Sequence, residues 1–98
     1  MAHFVMIAWD GPEGAGRRDR LREQHVAYVH ELAGKGRIVF AGPIRNDTDD
    51  RSIGAVIILE ADSLEEARQL VDRDPYVAGS VFKSITVNPF KQVIPDSR

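Results

Sequence analysis

The sequence contains no cysteine, which excludes disulfides, thiolate zinc sites and a cysteine nucleophile together. Neither charge dominates. Thirteen Lys and Arg against 15 Asp and Glu leave a net charge of −2, and the isoelectric point is near 5.9. Without a basic footprint, a nucleic-acid partner is not expected. No apolar run approaches the roughly 20 residues of a membrane span. The opening Met1–Asp10 has no basic region and too short an apolar stretch for a signal peptide. What is present is an ordinary globular balance, 98 residues with 43% apolar and 29% charged, sufficient for one core and no second one. The expectation is one domain over residues 1–98 with a C-terminal tail at 91–98, in a soluble cytoplasmic protein that binds neither nucleic acid nor membrane.

Two periodicities alternate along the chain. His3–Trp9 is apolar at nearly every position and reads as a strand buried on both faces. Asp10–Gly16 has three glycines and a proline in seven residues and reads as a flexible loop. From about Arg17 to Gly34, Leu21, His25, Tyr28, Val29 and Leu32 recur at helical steps, with Gly34 and Gly36 as the stop. Arg37–Ala41 is a second strand closed by Gly42-Pro43, and Ile44–Ser52 is a polar connection. Ile53–Ala61 is a third, again apolar strand. Asp62-Ser63 opens a second helix. There Ser63 and Glu66 have capping-box spacing, with the carboxylate expected to return to the Ser63 amide. Asp74-Pro75 ends that helix and suits the start of another turn. Phe82–Val87 is the fourth strand, and the chain from Pro89 onward reads as tail.

The order β-α-β-β-α-β is the split βαβ, or ferredoxin-like, arrangement with a four-stranded antiparallel sheet. The first and third strands, central in that fold, are the continuously apolar ones, while the fourth alternates. Two helices cover only one face of such a sheet, yet Phe4, Met6 and Ala8 alternate with Val5, Ile7 and Trp9. The second face needs its own cover, and a second copy packed sheet to sheet supplies it. The alternative is that Phe90–Ile94 folds back over part of it.

His25 is the most informative residue. At about 100° per residue it lies near the centre of the arc of Leu21, Tyr28, Val29 and Leu32, facing the sheet. A histidine so placed is a candidate general base or acid, or else a satisfied core residue. Asp74 falls among Ala67, Leu70 and Val71, and a carboxylate there needs a partner. His25 is one candidate, and the amides of the following turn are another. His30, about 140° from His25, belongs to the polar side. His3 would line either core or interface. Asp47, Asp49 and Asp50 lack the glycine and distal glutamate of a calcium loop, and Gly11, Gly14 and Gly16 lack dinucleotide-binding context. Arg17, Arg18, Arg20 and Arg22 read as one turn of a solvated face. Ser80 and Ser84 have no visible acid–base partner. No metal and no cofactor is expected.

Six segments in order resemble the YciI-like (YCII-related) family, from about Phe4 to Lys91. They are Asp10-Gly-Pro12, Arg22-Glu-Gln-His25, Gly36 to Pro43, Asp62 to Ala67, Asp74 to Gly79 and Val87 to Lys91. Between Pro43 and Ile53 acidic residues replace the glycine-rich stretch of the family pattern. The resemblance implies a dimeric α+β barrel of two ferredoxin-like subunits and a histidine–aspartate pair as the active site, carried here by His25 and Asp74. The expected function is therefore cofactor-free acid–base catalysis (isomerisation, elimination or hydrolysis) on a small organic molecule, ring-containing by analogy with related barrels. His25 would move the proton and Asp74 would orient it, while Arg22, Gly42, Pro43 and Tyr76 would bind substrate under a Gly11–Gly16 lid. The competing expectations are a homodimer that binds a small molecule without turnover, and a purely structural one.

Overall fold

A computed structural model describes residues 2–95. Its elements run β1 (Ala2–Asp10), α1 (Gly14–Gly34), β2 (Ile38–Arg45), β3 (Ser52–Ala61), α2 (Leu64–Asp72), α3 (Pro75–Ala78) and β4 (Phe82–Phe90). The four strands form one antiparallel sheet in the order β2-β3-β1-β4, the ferredoxin-like arrangement expected from the element order. The two doubly apolar strands occupy the centre because only there does a strand lose water on both edges.

One sheet face carries the core. Phe4, Met6 and Ala8 of β1 lie opposite Leu59, Ile57 and Ala55 of β3, and Val87 of β4 joins them beneath Ala67 and Val71 of α2. Met6, Leu59 and Val81 are fully buried, each worth about 1.5–3 kcal/mol against exposure. The other face holds Val5, Ile7 and Trp9, with Ile7 37% and Trp9 43% exposed, and Phe40 and Phe90 at 56% and 40%. The C-terminal segment does not cover it. Phe90 pairs with His3 as part of β4, and Val93 and Ile94 stay exposed. The last three residues of the expected tail lie outside the described residues.

Several boundaries differ from the sequence reading, each for a local reason. Helix α1 starts at Gly14 rather than near Arg17, so the loop shrinks to Gly11-Pro12-Glu13 and the expected glycine lid does not exist. Gly11 is tied down by its amide to the Val81 carbonyl (2.9 Å), and Gly14 by its amide to the Gly11 carbonyl (3.0 Å). Strand β2 continues through Gly42-Pro43 to Arg45, and β4 continues through Pro89 to Phe90. Both are edge strands, where half the backbone groups need no partner and a proline is tolerated. At α2 the Ser63 hydroxyl accepts the Glu66 amide (3.1 Å), as its spacing requires. The Glu66 carboxylate, however, takes the Asp62 amide (2.8 Å), not that of Ser63. The same oxygen also accepts Arg37 Nη2 (2.5 Å), which anchors it toward the start of β2. Asp74 caps α3 by accepting the Tyr76 amide (2.9 Å), with Pro75 at the first helical position.

Candidate active site

Strand β1 and helix α1 build one side of the site. In β1, Asp10 continues the phase of Phe4, Met6 and Ala8, so its side chain turns to the helix-covered face just past a register shift in the β1–β4 pairing. There it meets Arg18. Nε donates to Asp10 Oδ2 at 2.7 Å and Nη2 donates to Oδ1 at 2.9 Å, while Nη2 also reaches the Gly54 carbonyl at 3.0 Å. Arg18 is 7% exposed. Burial alone would lower its pKa, but the hydrogen bonds and charge of Asp10 outweigh this, with a further contribution from Tyr76, and the guanidinium stays protonated. The expectation that Arg17–Arg22 is a solvated turn therefore fails at Arg18. The signal was present in the spacing. Arg18 precedes Leu21 by three and His25 by seven, which places it within about 20° of His25 on the buried stripe.

The other side comes from α1 and α3. His25 Nδ1 lies 2.7 Å from Asp74 Oδ1, and Asp74 is 3% exposed. An ionised carboxylate only accepts, so Nδ1–H donates and Nε2 is the ring nitrogen left for another partner. The same Oδ1 accepts the Tyr76 amide, so the cap of α3 also orients the histidine. The His25 ring stacks on Tyr76 with centroids 3.8 Å apart and planes 3° from parallel. Phe82 meets Tyr76 edge-on at 6.3 Å, and Arg18 Cζ lies 5.1 Å from the Tyr76 centroid. The imidazole is thus fixed in position and tilt by one carboxylate and one aromatic plane. Nearby, the Tyr28 hydroxyl donates to the Leu70 carbonyl at 2.5 Å, and burial pushes its pKa up.

Between α1 and the β2–β3 half of the sheet lies a cavity of about 410 Å³, in the range of small-molecule sites. Val29, Ala41, Ala55 and Ile57 give it apolar walls, and Arg18, Arg22, His25 and His30 give it polar ones. Gly42, Pro43 and Tyr76 also line it. Gly42 and Pro43 do so because β2 extends past Ala41. All six residues singled out in the sequence therefore belong to one neighbourhood: His25, Arg22, Gly42, Pro43 and Tyr76 line the cavity, and Asp74 stands behind His25. Arg22 sits at the exposed mouth with a long 3.5 Å contact to Asp19. His30 is exposed, as its position on the helix requires, yet reaches the same mouth. His3 is on the opposite sheet face, 3.0 Å from Glu60. Among the described residues no group of three or more His, Asp or Glu is arranged to hold a metal ion. Nor, among the described residues, is any helix long and apolar enough to cross a membrane.

Residues 2–91 match the family model for the YCII-related domain. Protein YciI of Escherichia coli is 36% identical over 95 residues, spanning 92% of this chain and 97% of that protein. Among solved structures, 5-chloro-2-hydroxyhydroquinone dehydrochlorinase (TftG) of Burkholderia phenoliruptrix AC1100, in complex with 2,5-dihydroxybenzoquinone, superposes with a TM-score of 0.80. It is 29% identical, with 91% of this chain and 93% of that one covered. A dimeric ferredoxin-like protein of unknown function from Jannaschia has a TM-score of 0.54 at 18% identity, covering 94% and 100%, a likeness of fold alone. The chain belongs to the YCII-related family.

Proposed function

We propose that the protein is an acid–base enzyme in which His25 moves a proton on a small ring compound and Asp74 holds the histidine in the required tautomer. The observation that carries this reading is the 2.7 Å contact from Nδ1 to a buried carboxylate, which leaves Nε2 free on a ring that lines a cavity. Nε2 takes a proton from an acidic hydroxyl of the substrate, and Asp74 stabilises the imidazolium that forms. The imidazolium then returns the proton to a ring carbon, a tautomerisation that balances without any co-reactant. Where that carbon bears a halogen, a second hydroxyl loses its proton as the halide leaves with the bonding pair. The product is a quinone, and the sum is loss of HX. The similarity to a dehydrochlorinase crystallised with a dihydroxybenzoquinone supports this substrate class. Tyr76, Arg22 and the Gly42-Pro43 edge orient the ring.

A second copy of the chain covers the open sheet face. Ile7, Trp9, Phe40 and Phe90 stand exposed together there, and contiguous apolar patches of this kind mark interfaces.

The test is an assay of chloride release and quinone absorbance with a chlorinated hydroxyhydroquinone, in wild type, His25→Gln and Asp74→Asn. Both substitutions leave the fold intact by circular dichroism and lower the rate by about 10²–10⁴-fold. A His25→Gln enzyme as fast as wild type refutes the reading. Thermal shifts with ligand but no product in any variant point instead to binding without turnover.

A further inference from the structure

Loss of HX from a hydroxylated ring leaves one proton over. The first hydroxyl proton goes to His25 and returns to a ring carbon, so His25 ends that exchange as it began. The second, lost as the halide departs, has to reach water. Asp74 is no route for it. Its carboxylate is 3% exposed, and its Oδ1 is held by the His25 ring and the Tyr76 amide. Nor can His25 follow the second proton to the far end of the substrate. Asp74 fixes the imidazole at 2.7 Å, and Tyr76 stacks on it at 3.8 Å. A base collects a proton only within about 2.6–3.2 Å, and oxygens on opposite ends of an aromatic ring lie farther apart than one fixed nitrogen reaches.

The rest of the cavity lining offers one other acceptor. No aspartate or glutamate lines it among the described residues. Arginine cannot give up its proton in a protein, and serine and tyrosine hydroxyls are poor acceptors near neutrality. His30 remains, and histidine both takes up and releases a proton near neutral pH. It follows His25 by five residues on α1, about 7.5 Å farther along the helix axis and about 140° around it. It is exposed and also lines the cavity, so one side chain touches both substrate space and solvent. Hydrogen bonds tie the rings of His3 and His25; among the described residues none ties His30.

We propose that His30 is the proton exit of this site: it accepts the second hydroxyl proton at the cavity mouth and passes it to water. This rests on the proton-transfer reading above and adds to it the fate of the second proton. The O–H bond breaks and its electrons form the second carbonyl, while the carbon–halogen bond breaks and the halide keeps the pair. One proton is left for His30, and no oxidant or co-reactant is consumed.

The experiment compares two rates under argon in wild type, His30→Gln and His25→Gln. Chloride release from a chlorinated hydroxyhydroquinone requires the second proton to leave. Exchange of ring hydrogen for deuterium in the unchlorinated hydroxyhydroquinone, followed by NMR in heavy water, requires only the tautomerisation. His30 is an exposed helical position, so His30→Gln keeps the circular dichroism of wild type. It is expected to lower chloride release relative to ring exchange by roughly tenfold or more. Added imidazole, a diffusible base, restores chloride release in His30→Gln and leaves wild type unaffected. Chloride release as fast in His30→Gln as in wild type, an equal loss of both rates, or a loss that imidazole does not restore overturns the proposal. Failure of the proton-transfer reading shows differently, as undiminished rates in His25→Gln. A wild type that releases no chloride overturns both.

Discussion

Replacing Asp10 by alanine isolates the energetics of the buried ion pair. Asp10 and Arg18 side chains are 10% and 9% exposed, joined at 2.7 Å with a second bond at 2.9 Å. Asp10→Ala leaves the guanidinium buried with only the Gly54 carbonyl as partner. Breaking a buried pair from one side costs about 3–5 kcal/mol, against a total of about 5–15 kcal/mol for a domain of this size. In chemical denaturation, a slope of about 1–1.5 kcal/mol/M in urea turns this into a midpoint lower by about 2–5 M. In calorimetry, about 4–8 °C per kcal/mol gives a Tm lower by at least about 12 °C. The informative comparison is the double variant Asp10→Ala, Arg18→Met, measured at the same protein concentration because oligomerisation shifts apparent stability. With both charges removed, no unpaired ion is buried. The double variant is then more stable than Asp10→Ala by about 2 kcal/mol, although it carries one more substitution in the core. A double variant less stable than Asp10→Ala, with a loss from wild type equal to the sum of the two single effects, refutes the claim that an unpaired buried charge is the source of the loss.

Further outcomes follow from the same geometry. Gly14→Ala, which on helix propensity alone would gain about 1 kcal/mol, instead destabilises by about 1–3 kcal/mol in urea unfolding. A Cβ there falls 2.7 Å from Asp10 Oδ2 and 2.9 Å from Asp10 Cβ, and Arg18 holds that carboxylate in place. Tyr28 must keep its proton to donate to Leu70, and burial raises its pKa in the folded state above the usual value. Its contribution is complete below the unfolded pKa of about 10 and is lost as pH rises through the folded value. Thermal melts above pH 9.5 should fall more steeply in wild type than in Tyr28→Phe; parallel curves contradict this. Trp9→Lys, on the open face, is expected to convert a dimer into a monomer in analytical ultracentrifugation while leaving the circular dichroism of the helix-covered core unchanged.

Local rules acting on neighbouring residues made much of the fold legible. The doubly apolar β1 and β3 declared themselves central, Ser63 and Glu66 declared a helix start, and Asp74-Pro75 declared the opening of α3. The spacing of Leu21, Tyr28, Val29 and Leu32 aimed His25 inward, and Asp74 stood out as a charge among apolar neighbours. What spacing cannot supply is the partner. Asp74 had two acceptable roles, cap or histidine orienter, and the packing of α1 against α3 gives one oxygen both. Arg18 was misread because a run of arginines looks solvated in one dimension. Only the register of β1 brings Asp10 to the same face and turns a surface charge into a buried fork. The glycine loop was read as flexible for a related reason. Glycine at position 14 answers a collision with Asp10, not a need for motion, and collisions exist only once the chain has folded. Sequence alone thus determined the element order and which residues must leave water. Tertiary structure decided which charges meet there, because pairing across 49 residues, as between His25 and Asp74, depends on the sheet and helices that carry them.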